Sequence, residues 1–175
     1  MEARRQEDQK AANIVDAIPL GLDMWDLHYR SAIYGYREER DGITAVEGRF
    51  AELVASEASR TFFVPVGWPH NDHEATAALA LNVAKTMPEA CWALYSELPY
   101  RIRDDMKPLT GLIHSRSFAA WRAAGFKRVS FAAVTDYAAE KTAAAECYAS
   151  QLRQIDAGPS CRATEKYWLM QPAGG

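Results

Sequence analysis

One segment decides the fold of this 175-residue chain: Phe62-Phe63-Val64-Pro65-Val66-Gly67-Trp68-Pro69-His70-Asn71-Asp72-His73. Its first half is an apolar run rich in aromatic and β-branched residues, which predicts a buried strand over 61–66. A turn with glycine and proline follows, and a helix is predicted over 72–85. Polar residues therefore stand at the carboxyl end of a strand, where α/β proteins place their binding groups.

Helices and strands alternate on both sides of this segment. Helical spacing and composition predict helices over 2–16, 43–60, 72–85, 117–124 and 135–155, the last with Thr135 or Asp136 as N-cap. Short apolar runs predict strands over 20–22, 61–66, 91–95, 127–133 and 167–169. This alternation predicts a single α/β domain over 1–175, with a mostly parallel sheet flanked by helices. Three large aromatic residues are predicted to pack in its core: Trp92, Trp121 and Trp168.

The composition narrows the class of protein. A chain with 49% hydrophobic and 25% charged residues is typical of a soluble globular protein. The net charge of −3 gives no electrostatic support for nucleic-acid binding. No apolar run approaches the roughly 20 residues of a membrane span, and the first residues are too charged for a signal peptide. The three cysteines match no zinc-ligand or CxxC spacing, so reduced thiols and a cytoplasmic location are predicted.

Two interpretations of His70, Asp72 and His73 remain open from the residues alone. On a helix, histidines three positions apart share a face, and neutral imidazole is the commonest metal ligand. Asp72 is then a ligand or the group that orients an imidazole ring. Alternatively, the segment is an ordinary helix start with Asn71 or Asp72 as cap and the histidines exposed. Since a catalytic zinc usually takes three protein ligands and a water, the segment is incomplete as a metal site.

The stretch from Gly67 to His73 resembles the H-x-D-H motif of the PIG-L (LmbE-like) zinc-dependent N-deacetylases. Further segments resemble other motifs of that family in the same order. They are Arg4-Arg5-Gln6-Glu7, Leu22 to Arg30, Tyr95 to Tyr100, Lys141 with Tyr148 to Gln151, and Glu165-Lys166-Tyr167-Trp168. Trp25 stands where the family usually has proline, and Glu97 stands where it has aspartate. The similarity extends from about Arg4 to Trp168, nearly the whole chain.

This resemblance implies a Rossmann-like α/β fold that carries zinc at the carboxyl ends of its strands. It implies hydrolysis of the N-acetyl group of a small sugar-like substrate that contains N-acetylglucosamine. His73 matches the family's zinc ligand, and His70 matches the histidine that stabilises the intermediate and protonates the leaving amine. Asp72 matches the partner of that histidine, and a carboxylate beside an imidazolium favours its charged form. Arg4 and Asp26 match positions near the substrate.

One family motif is missing from the 175 residues: Pro-His-Pro-Asp-Asp-Glu, which supplies the other two zinc ligands and the general base. Relative to the family, the chain is therefore expected to be N-terminally truncated. The missing strand is expected to leave an unpaired sheet edge that favours a homo-oligomer.

Three hypotheses follow from this departure. In the first, the chain is a deacetylase whose missing part comes from an upstream segment or another polypeptide. In the second, it is an inactive remnant that binds a ligand or a partner. In the third, a rebuilt metal site joins His73 to Asp26 or Glu97, with Asp23, His28 and His114 as further candidates.

Overall fold

The computed structural model describes residues 2–22, 39–57, 61–67, 71–96, 116–134, 136–150 and 162–174. Helices and strands alternate along these residues. In chain order they are α1 (Glu2–Ile14), α2 (Glu39–Ser56), β1 (Thr61–Pro65), α3 (Asn71–Thr86), β2 (Cys91–Tyr95), α4 (116–123), β3 (Phe126–Val134), α5 (Ala138–Glu146) and β4 (Glu165–Pro172). The predicted α/β class is confirmed. None of the helices described is both long and apolar enough to cross a membrane.

The four described strands form one sheet in the order β1-β2-β4-β3. β1 and β2 are parallel, as a crossover through α3 allows, whereas β4 runs antiparallel to both of its neighbours. The prediction of a mostly parallel sheet is thus not confirmed, because two of these three strand pairings are antiparallel and one is parallel. The composition of a short apolar run predicts a strand, but it carries no information about the strand's direction.

The hydrophobic core lies between one face of the sheet and three helices. Trp92 and Leu94 of β2 are fully buried, and Trp168 of β4 is 6% exposed. Side chains of α2, α3 and α4 cover this face, among them Val54, Val83 and Trp121. The predicted burial of the three tryptophans is confirmed, since each ring packs against other aromatic rings of this core.

Two local predictions are wrong. Residues 17–22 form neither helix nor strand, and Leu20 is 67% exposed. A run of three residues that includes a glycine is too short and too weak in β-propensity to form a strand without a partner. The long helix predicted over 135–155 is described only at Ala138–Glu146, with turns at 147 and 149–150. Its N-cap is Tyr137 rather than Asp136, without a side-chain capping hydrogen bond.

The residues just after α5 contact α1. α1 packs against α5, and the carboxylate of Glu7 on α1 accepts two hydrogen bonds from Ser150. The Ser150 backbone N–H donates at 2.9 Å and its hydroxyl donates at 2.6 Å. The chain turns after α5, and Ser150 lies on Glu7 at this turn, a tertiary contact that helix propensity alone does not predict. The same hydrogen bonds hold the pKa of Glu7 below its ordinary value of 4.5.

Replacing Ser150 with alanine is expected to lower stability in a pH-dependent way. A carboxyl whose pKa is lowered on folding stabilises the native state above its unfolded pKa, and this contribution is lost as the pH falls through the folded pKa. The difference in unfolding free energy between wild type and Ser150→Ala is therefore expected to be largest at neutral pH. It should shrink once the pH falls below about 4.5.

Denaturant titrations at a series of pH values measure this difference. Ser130→Ala, at an exposed position of β3, is a serine control for which no such pH dependence is expected. A Ser150→Ala loss of equal size at neutral and acidic pH would contradict the role of the Glu7 carboxylate.

Candidate functional site

The turn between β1 and α3 brings the first turn of α3 close to the sheet. Beyond the last residue of β1, the Val66 N–H donates to the Tyr95 carbonyl at 2.9 Å, which continues the β1–β2 contact. Gly67 then adopts a φ of +94°, a left-handed conformation that favours glycine. A Cβ atom on Gly67 would lie 2.8 Å from Cβ of Ala77 and 3.3 Å from the carbonyl oxygen of His73. Only glycine therefore allows α3 this close to the strand end.

A cavity of about 780 Å³ opens beside this turn. Its described lining combines aromatic and small apolar side chains with a few polar groups. These residues are Phe63, His73, Tyr95, Ser96, Ala132, Val134, Tyr137, Glu165 and Tyr167. Tyr95 lies opposite Tyr167 in the sheet, and Tyr167 lies opposite Ala132, so three neighbouring strands contribute. Successive side chains of a strand point to opposite faces, which places these residues on the face away from Trp92, Leu94 and Trp168.

Among the described residues of the H-x-D-H segment, His73 lines this cavity. It lies in the first turn of α3, its side chain is half-buried, and its Nδ1 atom is buried. Asp72 precedes it, and the Asp72 carbonyl accepts a hydrogen bond from the Thr76 hydroxyl at 2.7 Å. Acidic side chains in a first helical turn interact favourably with the helix dipole, which applies to Asp72 and Glu74.

A polar network of β4 and α5 lies beside the aromatic side chains of β1 and β2. The Tyr167 hydroxyl donates to Oε2 of Glu165, whose Oε1 lies 3.1 Å from Nζ of Lys141. Lys141 also donates to the carbonyl of Ala163 at 3.4 Å. Burial, together with the hydrogen bond to the Glu165 carboxylate, raises the pKa of Tyr167. The phenol therefore keeps its proton at neutral pH.

Of the residues that the sequence singled out, Arg4 does not lie with His73 at the cavity. Arg4 lies on α1, where its side chain is exposed and its charge contributes to lowering the pKa of Glu7. Arg4 is not among the described residues that line the cavity. His70 and Asp26 lie outside the described residues, so their predicted roles stay predictions. The same holds for four further candidate ligands: Asp23, His28, Glu97 and His114.

Several cavity residues were not predicted as site residues. Glu165 and Tyr167 belong to a segment whose one distinguishing feature in the sequence is its resemblance to a family motif. The apolar runs predict Phe63 and Tyr95 as parts of buried strands, although the period of two along each strand puts them on the face opposite Val64 and Leu94. Alternation was thus the available signal, but it did not reveal which face is packed and which carries a cavity.

The described donors do not by themselves form a catalytic zinc site. Among the residues that the structure describes, no group of three or more His, Cys, Asp and Glu side chains could hold a metal ion. The cavity supplies the imidazole of His73 and the carboxylate of Glu165, and that carboxylate already contacts Lys141 and Tyr167. A site with three protein ligands would therefore need donors from outside the described ranges.

Comparison of the chain with protein-family models, with curated proteins and with solved structures finds no match.

Proposed function

We propose that this chain is a zinc-dependent hydrolase of the PIG-L N-deacetylase type, and that the cavity beside His73 binds its substrate. The supporting observation is that three sequence-distant segments with family-like motifs contribute to one cavity. They supply His73, the pair Tyr95 and Ser96, and the pair Glu165 and Tyr167. Segments that resembled the family by chance would not be expected to line the same cavity, whereas the parts of one site must do so.

The finer fold assignment belongs to the same proposal. β1, α3 and β2 form a β-α-β unit with parallel strands, the repeating unit of Rossmann-like sheets. The cavity lies where these two strands end, which is the usual position of a ligand in such sheets. Together these two features support a Rossmann-like domain, with β4, which is antiparallel to both of its neighbours, and β3 added on one side.

The cavity suits a small molecule with an apolar face and several polar groups. Its volume of about 780 Å³ falls within the roughly 300–1,000 Å³ of small-molecule sites. Phe63, Tyr137 and Tyr167 offer apolar surface to a sugar ring, and Ser96 and Glu165 offer polar atoms. An N-acetylated amino sugar combines these two requirements.

Each site residue has a defined role in this proposal. His73 would hold the zinc ion, and the further donors that a catalytic zinc needs would have to come from outside the described residues. When bound, zinc supplies Lewis-acid polarisation of the acetamide carbonyl and a water of lowered pKa. His70 gives a proton to the leaving amine, and Asp72 favours the charged imidazolium that this transfer requires. Asp26 contacts the substrate, whereas Arg4 is not among the described residues that line this cavity and is assigned no contact there.

Acetate release tests the proposal. The purified full chain with added zinc is incubated with N-acetylglucosamine and with its alkyl glycosides, and acetate and free amine are measured. We expect acetate release that stops with a chelator and returns with zinc. His73→Ala is expected to lower it by more than about 100-fold, because a metal ligand is lost. Glu74→Gln is the matched control, since Glu74 is an exposed residue of the same helical turn.

The possible outcomes separate the two functional classes that the sequence left open. Sugar binding without acetate release would contradict the hydrolase and identify a ligand-binding protein. If the wild type neither binds these sugars nor releases acetate, both the activity and the substrate class are wrong.

A further inference from the structure

We infer that Tyr167 binds the ligand by accepting a hydrogen bond from one of its N–H or O–H groups. Glu165 and Lys141 are positioning residues that fix the direction of the Tyr167 hydroxyl. The inference rests on the proposed function in one respect, namely that the cavity is a ligand site. It adds that the ligand must present a hydrogen-bond donor to this wall of the cavity.

The Tyr167 ring is held in place by the sheet and by a neighbouring ring. Tyr167 lies opposite Tyr95 of β2 and opposite Ala132 of β3, so it occupies an interior strand of the described sheet. Its ring meets that of Phe63 edge-on, with centroids 5.6 Å apart and an interplanar angle of 82°. Such T-shaped pairs are a favoured geometry of aromatic rings. The hydroxyl therefore has a defined position on the cavity wall.

The hydroxyl hydrogen is already used. A tyrosine hydroxyl carries one hydrogen to donate, and that of Tyr167 goes to Oε2 of Glu165. A carboxylate only accepts hydrogen bonds, so it cannot reverse this direction. The Tyr167 oxygen can still accept a hydrogen bond from another molecule. Because burial and the Glu165 carboxylate raise the pKa of Tyr167, this oxygen stays part of a neutral phenol at neutral pH.

Lys141 fixes the carboxylate from the other side. Its Nζ lies 3.1 Å from Oε1 of Glu165 and donates to the Ala163 carbonyl, just before β4, at 3.4 Å. α5 thus orients Glu165 on β4, and Glu165 orients the Tyr167 hydroxyl. A hydrogen bond to a charged acceptor is stronger than one between neutral groups, so the ligand's donor does not displace this arrangement.

The network therefore selects for a ligand donor at Tyr167. An amide N–H or a sugar O–H satisfies the oxygen, whereas a methylated nitrogen or an ether oxygen presents no hydrogen to it. This prediction distinguishes the site from an aromatic wall that only stacks on a sugar ring, because stacking does not depend on a single hydrogen.

Binding of N-acetylglucosamine to the metal-free full chain measures the effect without turnover. Tyr167→Phe keeps the ring and removes the hydroxyl, and it is expected to raise the dissociation constant about 3- to 10-fold. Glu165→Gln is expected to raise it as well, since its amide can donate to the phenol and turn the hydroxyl hydrogen around. Thermal unfolding of each variant shows that the fold is retained.

Tyr148→Phe provides a matched control. Tyr148 is also hydrogen-bonded to a carboxylate, that of Asp8, and burial with this bond raises its pKa to about 12. It lines a different cleft, between α1 and α5. Its replacement is expected to leave sugar binding unchanged, so a loss specific to Tyr167→Phe reports on the cavity.

Donor-blocked analogues identify the partner group. N-acetylglucosamine methylated singly at the amide nitrogen or at each hydroxyl is titrated into wild type and Tyr167→Phe. One analogue is expected to bind more weakly to the wild type but as well as the parent sugar to Tyr167→Phe, because both changes remove the same hydrogen bond. If every analogue loses the same affinity in both proteins, the inference is overturned.

The role of Glu165 has a spectroscopic readout that a merely structural role would not produce. In a pH titration, the Tyr167 phenol, assigned by its loss in Tyr167→Phe, is expected to ionise at lower pH in Glu165→Gln. An unchanged titration overturns the positioning role. Acetate release with unchanged KM in Tyr167→Phe defeats this inference alone, whereas Tyr167-dependent binding without acetate release defeats only the proposed activity.

Discussion

Replacement of Trp92 with alanine is expected to lower the free energy of unfolding by about 3–5 kcal/mol. Trp92 lies in β2, is fully buried, and contacts three aromatic rings of the core. The ring centroids of Phe50, Phe62 and Trp121 lie 6.5, 5.4 and 6.0 Å from its own. Removing the indole leaves a cavity that the sheet and helices around it can fill only partly. A loss of this size is a large fraction of the roughly 5–15 kcal/mol that stabilises a typical domain.

Chemical denaturation of wild type and Trp92→Ala measures this loss. Trp92→Phe serves as the matched variant, because it keeps an aromatic ring but loses the indole N–H that donates to the Met87 carbonyl at 3.4 Å. Its loss is expected to be clearly smaller than that of Trp92→Ala. A Trp92→Ala loss below about 1 kcal/mol, the level of an average substitution, would contradict the central position of this ring.

A second large loss is expected for Gly67→Ala, and it acts at the site itself. A residue other than glycine held at this φ costs about 1–3 kcal/mol, and overpacking costs about 1–3 kcal/mol more. The new Cβ would meet Cβ of Ala77 at 2.8 Å, and neither atom belongs to a flexible side chain. The first turn of α3 must then move away from the strand end, which displaces His73.

Substitutions at two other glycines distinguish backbone strain from the steric clash as causes of this loss. Gly125 has a similar φ of +88° with no atom within 4 Å of its added Cβ, so Gly125→Ala reports backbone strain without a clash. Gly48 lies in α2 with free space around it, and Gly48→Ala is expected to stabilise by up to about 1 kcal/mol. Denaturation midpoints should therefore fall in the order Gly48→Ala, wild type, Gly125→Ala and Gly67→Ala. Equal losses at Gly67 and Gly125 would mean that α3 does not approach the turn closely.

Local patterns were sufficient to predict the centre of the fold. The apolar run of β1, the turn at Gly67 and the amphipathic α3 are each encoded by neighbouring residues. The predicted strand over 61–66 and helix over 72–85 are accordingly confirmed within one residue at each end. The direction of β4 could not be predicted from the sequence, because it depends on which strands β4 pairs with and not on its own composition.

The site was predictable only in part, for a related reason. The position of His73 at the start of a helix follows from local sequence, and the structure places it at the cavity. The contact between Lys141 and Glu165 joins residues of different elements, and nothing near either residue marks the other as its partner. The contact between Ser150 and Glu7 belongs to the same class, since these two residues are distant in the sequence.

Zinc content tests whether His73 belongs to a zinc site. Wild type and His73→Ala are loaded with zinc, dialysed and analysed for metal, with thermal unfolding as the check that both are folded. About one zinc ion per chain is expected in the wild type, as in mononuclear catalytic sites, and none in His73→Ala. A wild type without zinc, or equal zinc in both proteins, would contradict a zinc-dependent hydrolase built on His73.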